Sequence, residues 1–389
     1  MLDYIKINNK KFLKFYNCDQ FYLINLARTF AAICVVLQHY QHFFFVGPNS
    51  YQDSFVRAGQ PFYEIIKPLY LFGGVSVQFF FVLSGFIFFL IYKDKIYSKN
   101  INFKKFFILR FSRLYPLHIL TLFLVLILQY YHEYLNGEFF VHTANNFKNF
   151  ILHLFLIQQW GFTMPWAFNA ASWSISVELL LYLTFYFLVK KIIKNIFRTS
   201  IILILIFILN ILIQPFLSHV IVGFLCFYTG GITYFVYKKL CIIIKINQLN
   251  AFYVIALLAL IDFIVFGKFL NFYFLDIQKN FELLIGERIF LLLFFVKFPL
   301  IILNLSLLQN FYKDLGKSLK IIGEISYTIY LVHFPIEIIF SLINKNLISL
   351  DFKNNFVFLT YLISIILTSI FIFKFFEQPA KNLIRSKFL

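Results

Sequence analysis

Asn354 to Phe373 reads NNFVFLTYLISIILTSIFIF, twenty residues without a formal charge. As a helix rising 1.5 Å per residue, that stretch reaches ~30 Å, the thickness of a bilayer's hydrocarbon core. Working outward from it, similar apolar blocks fall at 21–46, 68–92, 107–130, 172–189, 200–218, 220–237, 251–267, 288–308 and 321–343. A membrane barrel would show alternating blocks of about ten residues instead. Composition agrees: of 389 residues, 61% are hydrophobic and 13% charged, with a mean hydropathy of +0.81, which excludes a water-soluble globule. The sequence therefore predicts an all-α polytopic membrane protein with about ten transmembrane helices. An eleventh apolar stretch, 149–160, is interrupted by His153, Gln158 and Gln159. It suits a short re-entrant or interfacial helix better than a crossing.

The net charge of +18 does not point to nucleic acid, because the Lys and Arg residues lie in short tracts between apolar blocks. With ten spans and a cytoplasmic N-terminus, 25 of the 35 fall on the cytoplasmic side and 7 on the other. Both termini are therefore expected inside. The first apolar block is too long for the core of a cleavable signal peptide. Cys18, Cys34, Cys226 and Cys241 show neither metal-ligand spacing nor a disulfide framework. The longest expected loops (47–67, 131–148 and 268–287) are too short for a core of their own. The chain reads as one membrane domain, 1–389, with cytoplasmic tails at 1–20 and 374–389, and its chemistry belongs inside the bundle or at its mouths.

Ionisable side chains within apolar spans are costly and mark functional sites by default. Arg28 and His39, eleven residues apart, share one face of the first span, with ~16 Å between them along the axis. His42, one turn further, reads as interfacial. Trp173 to Glu178, WSISVE, opens the fourth span and sets Glu178 at nearly the same expected depth as His39. A carboxylate at that depth would orient the imidazole and stabilise its protonated form. Arg110-Phe111-Ser112-Arg113 starts the third span, and the i, i+3 spacing gives two guanidinium forks on one face, suited to a phosphate-bearing ligand. Ser326 to His333 places Tyr330 and His333 one turn apart deep in the ninth span, with Glu337 a turn beyond. Each has a bland reading as well: snorkelling at an interface, helix-bridging hydrogen bonds or topological charge.

Taken in order, these residues resemble the acyltransferase-3 family of integral membrane acyltransferases, through almost the whole chain. Arg28 and His39 match its Arg-x10-His signature, Phe79 to Phe86 (FFFVLSGF) its second-span motif, and Arg110 to Pro116 (RFSRLYP) its RxxR segment. Trp173 to Glu178 looks like WSLSVE, Ile325 to Pro335 (ISYTIYLVHFP) like SYxIYLxHxP, and Glu377-Gln378-Pro379 like the closing ExP. Gln78 stands where the family often has Asp. The similarity is to the membrane module, without the hydrolase-like domain that some members carry.

The resemblance implies transfer of an acyl group, most often acetyl, from cytosolic acyl-CoA to a hydroxyl of a cell-surface or lipid-linked carbohydrate. The expected setting is a bacterial inner membrane, with no tightly bound cofactor. It casts His39 and Glu178 as catalytic, with Arg28, Arg110, Arg113, Trp173, Ser176, Tyr330 and His333 binding substrate or donor. His39 as general base and His39 as covalent acyl carrier are both open chemistries. A transporter or flippase with a relay through His39, Glu178, His333 and Lys297 is the alternative class; against it stands the lack of inverted repeats.

Overall fold

A computed structural model of the protein describes residues 21–45, 57–161, 166–193, 195–213, 218–244, 257, 259–260 and 292–389. The expected N-terminal tail 1–20, seventh span 251–267 and loop 268–287 lie outside the described residues, apart from isolated positions in the span. Among the described residues the fold is all-α, and eight helices are long and apolar enough to cross a membrane. The expected fifth span coincides with the apolar helix Ile196–Ile213.

In chain order the helices are α1 (Tyr22–His39), α2 (Tyr63–Phe72), α3 (Ser76–Phe88), α4 (Phe103–Asn136), α5 (Phe147–Leu154) and α6 (Trp173–Lys191). There follow α7 (Ile196–Ile213), α8 (Ser218–Ile244), α9 (Phe298–Phe311), α10 (Ser326–Asn346), α11 (Asn355–Ile372) and α12 (Gln378–Phe388). Asparagine side chains start several of them by accepting an otherwise unpaired amide: Asn102 from Lys105 N at 2.8 Å, Asn146 from Asn149 N at 3.0 Å, and Asn354 from Phe356 N at 2.7 Å. Helix α4 ends at Gly137, whose φ of +76° suits a residue without Cβ. The segment expected to be re-entrant contains α5, whose 8 residues span only about 12 Å.

Contacts divide the chain into two units. The smaller takes 1–28 and 233–324, and within it Leu23 N donates to the Gln309 side chain at 2.9 Å and Asn310 to Tyr237 Oη at 2.7 Å. Lys297 ends a wide π-turn, Leu293–Lys297, that leads into α9.

The larger unit takes 29–232 and 325–389, and α10 is its central element, packed against α4 and α11. Ser326 to Ile338 are buried without a break, as expected of a helix surrounded by others. Helix α11 instead turns Phe356, Leu359, Ile363, Leu367 and Phe371 outward, an apolar stripe suited to lipid. Helices α3 and α8 cross backbone to backbone. A Cβ on Gly85 would lie 1.8 Å from Phe227 O, and one on Gly230 1.9 Å from Val82 O, so both positions require glycine. The expected C-terminal tail is helical: a π-turn, Phe373–Glu377, leads from α11 into α12, which packs along α4.

Candidate active site

Four imidazoles meet in the larger unit. His39 closes α1, His42 sits in the 3-10 turn Tyr40–Phe44 that continues it, His333 is on α10, and His142 is in the segment between α4 and α5. His39 Nδ1 and His333 Nε2 share a hydrogen bond of 2.8 Å. His42 Nδ1 lies 2.7 Å from Glu337 Oε2, and Tyr361 donates to Glu337 Oε1 at 3.1 Å. The rings of His39 and His42 stack at 4.8 Å, so the carboxylate that fixes His42 also sets the floor on which His39 rests. His42, read from the sequence as interfacial, is buried because its carboxylate partner is buried with it.

A cavity of about 200 Å³ opens on this cluster, lined by His39, His42, His142 and His333, with Trp166 and Trp173 among its aromatic walls. His142 is buried with Nδ1 unpartnered. Burial, together with nearby His42, His39 and His153, holds it well below the usual histidine range. Tyr330 donates to Ala171 O at 2.7 Å and pairs with Ser174 Oγ at 2.8 Å, which locks the start of α6 against α10. Ser176 serves the adjoining segment: its hydroxyl accepts from Gln159 N at 3.2 Å and its carbonyl from Trp160 Nε1 at 2.9 Å.

Glu178 is elsewhere. Its carboxylate accepts from Ser84 at 3.1 Å and from Tyr182, not from His39, so the expected pairing is replaced. The reason is depth. Ser174 faces Tyr330, and Glu178, on the same face of α6 but one turn further along, meets Ser84 of the FFFVLSGF motif, whereas His333 lies one turn beyond Tyr330 toward the other end. The equal depth expected for Glu178 and His39 is thus not what the structure shows. The carboxylate of the imidazole cluster is Glu337.

Arg110 belongs with the Glu178 group. It donates to the Tyr92 hydroxyl and lies over the rings of Tyr92 at 4.8 Å and Phe88 at 5.2 Å, and Phe88 stacks on Tyr182 at 4.1 Å. Tyr327 Oη, bonded to Leu114 O at 2.7 Å, fixes α10 beside α4. From Arg110 to Leu114 is one turn of α4, and from Tyr327 to His333 is six residues of α10. The guanidinium end and the imidazole end are thus separated by about 15 Å along the bundle. The closing motif joins the same framework through Glu377, which accepts from Thr328 at 2.6 Å. Arg28, which the sequence placed with the donor site, belongs to the smaller unit.

Residues 21–374 match the family model described as an acyltransferase domain. The chain belongs to the acyltransferase-3 family. It is also similar to the acyltransferase MdmB of Streptomyces mycarofaciens, with 34% identity over 127 residues, 31% of this chain and 30% of that protein. The match thus spans under a third of the relative. No solved structure matches. Family membership and the eight helices among the described residues that are long and apolar enough to cross a membrane make this acyltransferase-3 protein an integral membrane protein.

Among the described residues, His39, His42 and Glu337 bring metal-ligand atoms within 4.8 Å of one another, a set the sequence reading did not assemble. The contacts around them, 2.7 and 2.8 Å, are hydrogen-bond lengths.

Proposed function

We propose that the protein transfers an acyl group, most simply acetyl, from acyl-CoA to a hydroxyl of a cell-surface or lipid-linked carbohydrate across a bacterial inner membrane. The observation that carries this reading is the hydrogen-bonded His39–His333 pair facing a tryptophan-walled cavity, with arginines about 15 Å away along the bundle. Acyl-CoA enters at the cytoplasmic end, its phosphates held by Arg110 and Arg113, and its flexible arm carries the thioester toward His39. The indole faces of Trp166 and Trp173 suit the apolar faces of a sugar.

With Nδ1 engaged by His333, His39 has Nε2 left for the reaction. His39 Nε2 takes the proton of the acceptor hydroxyl as its oxygen attacks the thioester carbonyl. The C–S bond then breaks, and the proton passes to the departing thiolate, leaving an ester and free CoA. Glu337 acts through His42 by fixing the ring that His39 stacks on. Glu178, bonded to Tyr182 and Ser84, shapes the passage between the two ends.

The test uses protein in nanodiscs, labelled acetyl-CoA and acceptor-bearing membrane extract. Release of CoA with transfer of label, lost on His39→Ala, supports the reading. Movement of a solute without consumption of acetyl-CoA would replace it with transport.

A further inference from the structure

We propose that Arg385, on α12, completes a three-guanidinium phosphate site with Arg110 and Arg113. This deepens the donor assignment above and rests on it. Arg385 Nε donates to Ser112 Oγ at 3.1 Å and Nη2 to Leu109 O at 3.1 Å. Both acceptors flank or separate the two arginines of RFSR, and Arg385 lies within electrostatic reach of Arg110 and Arg113. These bonds fix the fork without neutralising it, because a hydroxyl and a carbonyl carry no charge.

Five N–H groups belong to a guanidinium, and two are used here, so three remain to face a ligand. Arg110 is similarly uncompensated. Among the described residues its one hydrogen-bond partner is the Tyr92 phenol, and its buried Nε has none. Among the described residues, neither Arg110, Arg113 nor Arg385 has a carboxylate within ion-pair distance. Three like charges held together in this way repel one another, and an anion with several oxygens removes that cost.

Phosphate is the chemistry that fits the forks. CoA offers a diphosphate and a separate ribose phosphate, matched to three guanidinium groups better than to two. An anionic lipid headgroup at the membrane boundary is the other source of the same chemistry.

The experiment measures binding of acetyl-CoA, its 3′-dephospho form and adenosine 3′,5′-diphosphate to the full chain in detergent, for wild type, Arg385→Gln and Arg385→Lys. Arg385→Gln is expected to weaken acetyl-CoA binding by roughly 10- to 100-fold and to erase the preference over the dephospho form. Arg385→Lys should recover only part of the loss, since it restores charge without the fork. A second measurement needs no variant: arginine modification by phenylglyoxal, mapped by mass spectrometry, should show acetyl-CoA protecting Arg385 along with Arg110 and Arg113.

Unchanged affinity in Arg385→Gln, or Arg385 modified at the same rate with acetyl-CoA bound, overturns the inference and leaves the donor reading standing. Loss of stabilisation by phosphatidylglycerol vesicles with acetyl-CoA affinity intact also overturns it, in favour of lipid. Absence of acetyl-CoA binding in wild type removes the donor reading itself.

Discussion

Replacing His333 with phenylalanine keeps a ring of similar size but deletes the nitrogen that meets His39 Nδ1 at 2.8 Å. His333 is fully buried, so no solvent replaces the lost partner. Leaving one buried polar group unmet costs about 1–3 kcal/mol, which for an interaction needed in the transition state corresponds to a kcat lower by about 5- to 150-fold. The KM for acetyl-CoA should not move, because His333 lies at the imidazole end, away from Arg110. His39→Ala alone should lower the rate by about 10²- to 10⁴-fold. The two losses are expected not to add: once His39 is gone, its orienting partner has nothing to orient, and the double variant should match His39→Ala. Release of free thiol from acetyl-CoA in acceptor-bearing membranes gives the rates, with thermal unfolding in detergent as the folding control. A double variant slower than His39→Ala by the full His333→Phe factor would refute the partnership and assign His333 a role of its own.

Gly85→Ala should lower the midpoint of thermal unfolding in detergent sharply, because its Cβ would meet the Phe227 carbonyl at 1.8 Å and α3 and α8 would have to part; an unchanged midpoint would count against the crossing. His153 gives a pH prediction. Burial brings it down to about 4, against the opposing carbonyls of Asn149 and Ala167. The unfolded chain therefore binds the extra proton first, and stability should fall as pH drops from about 6.5 toward 4, by roughly 3 kcal/mol for a shift of this size. His153→Asn should flatten that slope in unfolding measured against pH. Chelator treatment is expected to leave acetyl-CoA turnover unchanged, given hydrogen-bond spacings around His39, His42 and Glu337; loss restored by zinc would recast the cluster as a metal site.

Much of this protein was legible in its apolar blocks, because a bilayer fixes the length of whatever crosses it. The uncharged run 354–373 appears as α11, and the short interrupted segment near 149–160 holds the non-crossing α5. His39 and His333 were legible as buried ionisable groups. Their partnership was not, since depth along a helix says nothing about which side a residue faces. A finer signal was present: His39 and His42 are three apart, His333 and Glu337 four apart, and helices running in parallel bring such pairs into register. Arg385 escaped notice because a basic residue near the end of a chain looks like topological charge. Only the folding of α12 along α4 places it beside Ser112.

The unbroken burial of Ser326 to Ile338 has a consequence for biogenesis. Helix α10 carries His333 and Glu337 into the bilayer, and a carboxylate at the centre of a lone inserted helix costs roughly 3 kcal/mol. A nascent chain therefore delivers this buried carboxylate near the end of synthesis, when α1, α4 and α6 already stand ready to receive it. A ribosome that stalls before residue 326 leaves a membrane-embedded product in which His39 lacks His333 and His42 lacks Glu337. A chain released between α10 and α11 leaves Glu337 with His42 but without Tyr361, and uncovers the side of α10 on which α11 packs.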